Sequence, residues 1–173
     1  MGNMISDSDA RRWILCDWGG TVMEDRPGST GPMFQWSTLI AVEGCGETLQ
    51  ALSAHYRFVL ATNAADSDED EIREALRKVK LNSFFEHVFC ARTLGYRKPS
   101  REFFHAITQT LSRKPAELTM LGDDFEVDVL GSTLCGFHGI WLNLNSTERR
   151  FGERHSTILN WRELPAALLA QEI

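Results

Sequence analysis

Short apolar runs alternate with stretches of helical periodicity along this chain, and this alternation strongly limits the folds open to it. It is typical of an α/β fold, in which helices connect and cover the strands of a parallel sheet. The apolar runs predict five strands, at 13–16, 58–61, 88–90, 118–121 and 139–142. Apolar residues three and four positions apart predict helices at 47–54, 72–79, 103–111, 127–134 and 165–170.

The size and charge of the chain disfavour several classes of protein. Its 173 residues fit a single domain, 1–173. Eighteen Lys and Arg residues against 24 Asp and Glu give a net charge of −6, which argues against a nucleic-acid-binding surface. No apolar run reaches the roughly 18–20 residues that span a bilayer, and the first residues lack an apolar signal-peptide core. Four dispersed cysteines without a C-x-x-C pair fit a reducing compartment. We expect a cytoplasmic protein with no nucleic-acid or membrane partner.

Polar residues directly follow several of the predicted strands. Asp17 follows the first strand, Thr62 and Asn63 the second, and Asp123 comes just after the fourth. The carboxyl ends of parallel strands meet at one edge of a sheet, where open α/β folds bind their ligands. Lys98, just before a predicted helix, can reach the same edge. We therefore expect these side chains to converge on one crevice, although they lie far apart in the sequence.

Acidic residues crowd this predicted crevice and require a counter-charge. Two carboxylates about 4 Å apart repel by roughly 4 kcal/mol at an effective dielectric constant near 20. A cluster of Asp17, Asp123, Asp124 and Asp128 is therefore stable only with a cation among its members. Ligand sets made of oxygen atoms favour Mg²⁺ over zinc. The sequence predicts Mg²⁺ as the cofactor, with Asp17, Asp123 and Asp128 as candidate ligands.

A carboxylate beside Mg²⁺, a lysine, a hydroxyl and a glycine-rich turn together predict a site for a phosphoryl group. The metal and the lysine offset the charge of the phosphate, and backbone N–H groups of the turn can bind its oxygens. Asp17 can then attack phosphorus in line and form an aspartyl-phosphate. The predicted catalytic residues are Asp17, Thr62 and Lys98. The predicted substrate-binding residues are Trp18, Gly19, Gly20, Thr62, Asn63 and Lys98.

Four segments resemble the motifs of the haloacid dehalogenase superfamily, in the order of that family. They are CDWGGTV at 16–22, LATN at 60–63, YRKPSREFF at 96–104 and MLGDDFEVDVLGSTLCGF at 120–137. The resemblance implies a Rossmann-like three-layer sandwich with a central parallel sheet. It also implies Mg²⁺ held by the carboxylates of Asp17 and Asp123 and by the carbonyl of Gly19, and hydrolysis of a phosphorylated substrate.

Gly19 departs from the pattern of that superfamily. Most of its phosphatases have a second aspartate two residues after the nucleophile, and this aspartate protonates the leaving alcohol. A positioned general acid contributes about 10²–10⁴-fold to the rate, and glycine has no side chain that could move a proton. We therefore expect alkyl phosphate monoesters to be poor substrates, unless Glu24, Asp25 or a group of the substrate takes the role.

Members of the superfamily that lack this acid suggest other activities. Phosphonoacetaldehyde hydrolases need a Schiff-base lysine from a cap between the first two motifs, and no lysine of this chain lies there. Haloacid dehalogenases need no magnesium, so the acid-rich fourth motif disfavours dehalogenation. Hydrolysis of activated phosphates fits better, because their leaving groups need little protonation. The main alternative is a catalytically impaired protein that binds phosphate or has a regulatory role.

The segment between the first two motifs determines how open the crevice is. Residues 22–42 can hold one short helix, at about 33–40, and are too few for a full helical cap. We expect a minimal cap or loop insertion here and an open site, which suits a large substrate or closure by a partner subunit. Met33, Phe34 and Trp36 either line its mouth or pack in the interior.

Residues 143–155 are polar and carry three arginines, Arg149, Arg150 and Arg154. A solvated loop is the favoured interpretation of this segment, and a substrate-binding role for its arginines is the alternative. The sequence gives no indication of the oligomeric state.

Overall fold

The structure, a computed structural model, describes residues 11–26 and 28–171. Its centre is a six-stranded parallel sheet. The strands are β1 (Arg12–Cys16), β2 (Tyr56–Thr62), β3 (Phe85–Cys90), β4 (Leu118–Gly122), β5 (His138–Leu142) and β6 (His155–Ile158). Their order across the sheet is β3-β2-β1-β4-β5-β6, the order of a doubly wound Rossmann-like fold. Strand β1 therefore lies in the middle of the sheet, between β2 and β4.

The structure confirms the five predicted strands and adds β6 at one edge of the sheet. Strand β6 starts at the end of the segment interpreted as a loop and pairs with β5, from Gly139↔His155 to Leu142↔Ile158. Its four residues, HSTI, contain a single strongly apolar side chain. A hydrophobic pattern therefore gives no signal for this strand, and pairing with β5 decides its conformation.

Helices connect the strands and cover both faces of the sheet. They are α1 (Cys45–Leu52), α2 (Glu69–Lys78), α3 (Ala91–Leu94), α4 (Arg101–Leu111), α5 (Gly131–Thr133) and α6 (Leu164–Ala170). The helix predicted at 127–134 instead begins as a π-helix, Phe125–Leu130, which continues into α5. Helix α3 is too short for a periodic pattern to predict it. No helix in the described part of the chain is long and apolar enough to cross a membrane.

The hydrophobic core lies on both sides of the sheet because successive strand residues point to opposite faces. In β1, Ile14 and Cys16 pack on one side with residues of α1, α2 and α6. Trp13 and Leu15 pack on the other side with the apolar face of α4. The sheet is therefore the middle of three layers.

Residues 22–42 fold back on themselves beside the end of β1. Met23 forms an antiparallel bridge with Ala41, and Glu24 N donates to Ile40 O at 2.9 Å. Instead of a helix at 33–40, the segment holds one 3-10 turn, Met33–Gln35, whose neighbour in space is α2. The interpretation of this segment as a minimal cap stays a prediction.

The three arginines of residues 143–155 have partners within the protein. Arg149 makes a two-pronged ion pair with Glu163, with N–O distances of 2.9 and 3.1 Å. The Arg150 guanidinium lies 4.4 Å from the centre of the Phe125 ring, and Arg154 donates to the carbonyl of Gly136. These contacts tie the loop to the edge of the sheet.

Trp161 anchors the turn that follows β1. Its side chain is fully buried, and its indole Nε1–H donates to the carbonyl of Thr21 at 2.9 Å. The carbonyl of Trp161 in turn accepts from Thr48 Oγ1 at 3.3 Å. The C-terminal part of the chain thus holds the conformation of residues 18–23.

Replacing Trp161→Phe should lower the free energy of unfolding by about 2 kcal/mol, because a buried carbonyl loses its donor and a gap opens in the core. Urea unfolding followed by circular dichroism measures this change. Trp36→Phe is the matched control: its indole also donates to a backbone carbonyl, that of Gly31, but in an exposed place. We expect less than about 0.5 kcal/mol for the control. Equal losses in both variants would contradict the anchoring role of Trp161.

Candidate active site

The register of the three central strands brings the predicted site residues to one edge of the sheet. Cys16 of β1 pairs with Leu60 of β2 and with Leu121 of β4, so the three strands end within two residues of one another. Asp17 follows directly and its backbone N–H donates to the carbonyl of Leu121. Asp17, Thr62 and Asp123 therefore surround one point, although up to 106 positions separate them in the chain.

Lys98 joins this edge from the loop between α3 and α4. Its side chain is 1% exposed, and Nζ donates to Asp17 Oδ1, Asp128 Oδ1 and the carbonyl of Ala61, each at 2.7 Å. Burial lowers the pKa of Lys98, but the charges of Asp17 and Asp128 outweigh it and raise the pKa overall. The ammonium group therefore stays charged and fixes the orientation of both carboxylates.

Asn63 holds the main chain of Lys98 from the end of β2. Its Nδ2 donates to the carbonyl of Lys98 at 2.9 Å, and its Oδ1 accepts from the backbone N–H of Lys98 at 2.7 Å. This side chain is therefore engaged with the protein rather than turned to a substrate. Thr62, one residue earlier, is 4% exposed, and its Oγ1 accepts from Ala64 N at 3.1 Å. The Thr62 hydroxyl keeps its own hydrogen to donate towards the cleft.

Asp123 is held from two sides at the end of β4. Thr21 Oγ1 lies 3.4 Å from its Oδ1, and Trp141 Nε1 donates to its carbonyl at 2.8 Å. Burial and the charge of Asp17 raise the pKa of Asp123 to about 6. The protein therefore compensates the charge of this carboxylate incompletely.

The two other acids of the segment after β4 have different surroundings. Asp124 caps the π-helix, where its Oδ1 accepts from the backbone N–H groups of Glu126 and Val127. Asp128 is buried, contacts Lys98, and accepts from Asp124 N at 3.2 Å. Burial raises the pKa of Asp128, and the Lys98 ammonium opposes this effect. Asp128 belongs to the central cluster, whereas Asp124 shapes the turn beside it.

Asp17, Asp123 and Asp128 fit a divalent cation. One oxygen atom from each carboxylate lies within 4.8 Å of the others. Three carboxylates against the single Lys98 ammonium leave two negative charges, which one divalent ion would balance. Oxygen donors of this kind suit Mg²⁺.

Gly20 gives the turn after Asp17 its shape. Its φ of 72° is a left-handed conformation, and a Cβ there would stand 2.4 Å from Asp123 Oδ2. Only glycine fits this position without strain. Its backbone N–H donates to the carbonyl of Met23 at 2.8 Å, so this amide closes the turn and is not available for a phosphate.

Gly19 faces a cleft of about 580 Å³ that opens beside Asp17. A Cβ on Gly19 would stand 2.5 Å from Asp25 Oδ1, so the Asp25 carboxylate takes up the space of a residue 19 side chain. Partial burial and the charge of Asp17 raise the pKa of Asp25. Trp18, Met33, Trp36 and Thr62 also line the cleft, and the buried Trp18 side chain packs in the core as well.

Sequence patterns miss several residues that support this site. Trp141 and Trp161 read as ordinary core tryptophans, and their N–H contacts to the carbonyls of Asp123 and Thr21 depend on tertiary packing. Asp25 sits in a stretch without periodicity, and its proximity to Gly19 depends on the bridge between Met23 and Ala41. The sequence offers one signal for Asp25: position 19 lacks an acid, and Asp25 is one of the two acids that follow it within the next six residues.

Known proteins resemble the chain in both sequence and structure. Glyceraldehyde 3-phosphate phosphatase of Methanothermobacter thermautotrophicus is 31% identical over 75 residues, which is 43% of this chain and 33% of that protein. The curated relatives that match are longer, and each match covers less than half of their length.

Solved structures show the same fold. An uncharacterized protein from Listeria monocytogenes serotype 4b matches with a TM-score of 0.81 at 19% identity, over 93% of this chain and 98% of that one. The HAD-hydrolase YfnB of Bacillus subtilis, solved bound to magnesium, matches with a TM-score of 0.65 at 21% identity, over 75% of this chain and 55% of that one. The model of the haloacid dehalogenase-like hydrolase family matches residues 31–136, more than half of the chain. With its parallel six-stranded sheet, the chain therefore belongs to the haloacid dehalogenase-like hydrolases.

Proposed function

We propose that the protein is a Mg²⁺-dependent phosphohydrolase that works through an aspartyl-phosphate on Asp17. The observation that carries the proposal is the contact of Asp17 with Lys98 at 2.7 Å inside a cluster of three carboxylates. A buried lysine with all three N–H groups engaged holds a nucleophile in one orientation. Such preorganisation is what in-line attack on phosphorus requires.

Each residue of the site has a separate task in the proposed reaction. Asp17 attacks phosphorus with a carboxylate whose other oxygen Lys98 holds. Thr62 Oγ and the backbone N–H groups of Trp18 and Gly19 bind phosphate oxygens and stabilise the charge that develops on them. Asn63 acts indirectly, because it fixes the main chain of Lys98.

Mg²⁺ would be held by the carboxylates of Asp17 and Asp123 and by the carbonyl of Gly19, with Asp128 completing the cluster beside Lys98. The bound ion supplies positive charge that reduces the repulsion between the phosphate and the attacking carboxylate. Thr21 and Trp141 keep Asp123 in place for this purpose.

The substrate we propose is a phosphorylated molecule, as for the relative named as a phosphatase. The cleft beside Asp17 has about 580 Å³ and carries Arg26 on its wall, a cation that suits an anionic substrate. Activated phosphates such as acetyl phosphate need no proton on the leaving group, so they test Asp17 independently of the missing acid at position 19. A catalytically impaired protein that binds phosphate is the alternative to hydrolysis.

Replacement of Asp17 tests its role as the nucleophile. Wild-type protein with Mg²⁺ should hydrolyse acetyl phosphate, and Asp17→Asn should lower kcat by about 10³-fold or more, because an amide forms no aspartyl-phosphate. Release of inorganic phosphate measures the rate. Asp70→Asn, a change of an exposed acid in the first turn of α2, is the control and should keep the wild-type rate. Phosphate binding without hydrolysis by the wild type would instead support the impaired, phosphate-binding alternative.

Replacement of Asp123 tests its role as a metal ligand. The pKa of Asp123 is raised to about 6, so its ionisation is less favourable in the folded than in the unfolded protein. In the absence of metal, this group therefore lowers the free energy of unfolding as the pH rises from about 4 to about 6. In EDTA at pH 7, Asp123→Asn should therefore be more stable than wild type, by about 1 kcal/mol after allowance for solvent screening of a half-buried group. The difference should vanish below about pH 4, where the carboxyl is protonated in both states.

Mg²⁺ should reverse this order at pH 7. Binding to the folded state raises the free energy of unfolding of wild-type protein, and Asp123→Asn should lose most of that gain. Urea unfolding with EDTA and with Mg²⁺ measures both effects, and Asp70→Asn should respond to Mg²⁺ like wild type. An equal Mg²⁺ effect in wild type and Asp123→Asn would contradict a metal site at Asp123.

A further inference from the structure

The Asp25 carboxylate occupies the place that a side chain on residue 19 would take. A Cβ built on Gly19 would stand 2.5 Å from Asp25 Oδ1 and 3.3 Å from Asp25 Cγ. Non-bonded Cβ atoms do not approach other atoms as closely as 2.5 Å. The absence of a side chain at position 19 is thus what lets Asp25 reach this point.

The backbone around Asp25 is fixed by the bridges of the segment 22–42. Met23 is fully buried and bridges Ala41, and Glu24 N donates to the carbonyl of Ile40 at 2.9 Å. Gly20 N donates to the carbonyl of Met23 from the turn after β1. Asp25 directly follows these hydrogen-bonded residues, so the position of its backbone beside the turn is fixed.

Asp25 and Asp17 face the same cleft. Both line the cavity of about 580 Å³, with Gly19 between them in that wall. The preceding acid, Glu24, lines only the neighbouring cavity of about 540 Å³, whereas Asp25 lines both cavities. Of these two acids, only Asp25 lines the cleft beside Asp17, where a group bound to phosphorus would have to leave.

We propose that Asp25 is a catalytic residue that donates the proton to the leaving group of a phosphate monoester. The proposal rests on the function proposed above. It assigns to Asp25 the proton transfer that Gly19 cannot perform, and it extends the substrates from activated phosphates to alkyl phosphate monoesters.

Asp25 gives up a proton in the first half of the reaction and regains one in the second. As Asp17 forms its bond to phosphorus, the bond from phosphorus to the ester oxygen breaks, and the carboxyl proton of Asp25 moves to that oxygen to give an alcohol. Asp25 is then a carboxylate. It takes a proton from the water that attacks the aspartyl-phosphate, so inorganic phosphate leaves and both aspartates return to their starting state.

The test compares two leaving groups. Wild-type protein should hydrolyse both ethyl phosphate, whose ethoxide leaving group needs a proton, and acetyl phosphate, whose acetate leaving group does not. Asp25→Asn should lower kcat/KM for ethyl phosphate by about 10²–10⁴-fold and for acetyl phosphate by less than about threefold. A structural role of Asp25 would lower both rates together. Glu24→Gln, a matched change of the preceding acid, should leave both rates as in wild type.

A second variant tests the position rather than the residue. Gly19 lacks the left-handed φ of its neighbour Gly20, so its backbone accepts another residue. In the double variant Gly19→Asp with Asp25→Ala, the carboxyl group would come from residue 19 and enter the space that the Asp25 carboxylate has left. The kcat/KM of this double variant for ethyl phosphate should be at least tenfold higher than that of Asp25→Ala alone. No recovery, in a double variant that still hydrolyses acetyl phosphate, would overturn the assignment.

The outcomes separate this role from the proposed function. Equal effects of Asp25→Asn on the two substrates would overturn the role of Asp25 and leave the Asp17 reaction standing. Asp66 also lines this cleft. If Glu24→Gln or Asp66→Asn, instead of Asp25→Asn, lost only the ethyl phosphate activity, the proton would come from another acid and the role of Asp25 would be overturned. Wild-type protein inactive on both substrates, or activity that survives Asp17→Asn, would remove the proposed function and this role with it.

Discussion

The buried ammonium of Lys98 is the interaction on which the rest of the site depends. It lies between Asp17 and Asp128 with three contacts of 2.7 Å, and without it two carboxylates would face each other in a region of low dielectric constant. Removal of one partner from a buried ion pair costs about 3–5 kcal/mol, so the ammonium and the two carboxylates hold one another in this geometry. The clamp by Asn63, the end of β2 and the packing of α4 all serve to hold Lys98 at this point.

The sheet and the convergence of the acids follow from simple features of the sequence. Buried parallel strands are continuous apolar runs, and the polar residues that end them must meet at one edge because the strands share a direction. This reasoning brings Asp17, Thr62 and Asp123 together without any knowledge of loop structure. It fails for β6, where four mostly polar residues become a strand only through pairing with β5.

The parts that sequence reasoning misses are those set by loop conformation. A glycine-rich turn predicts free amides, but the N–H of Gly20 is used to close the turn on Met23. An asparagine at a strand end predicts contact with a substrate, yet Asn63 binds the main chain of Lys98. The helix after β4 starts as a π-helix, in which Asp124 caps the N–H groups of Glu126 and Val127 and Asp128 is buried. Each of these outcomes depends on contacts between residues that no periodic pattern relates.

The shared space of Gly19 and Asp25 has a consequence for how such a site can evolve. An aspartate at 19 would push against a carboxylate at 25, and a glycine at 19 beside a short residue at 25 would leave the place without an acid. The two positions therefore compete for one space, and the Asp25 carboxylate must turn away before a side chain at 19 can enter it. A lineage that moves the group from one position to the other passes through an ancestor with two neighbouring carboxylates or with none, so substitutions at 19 and 25 should be correlated across related sequences.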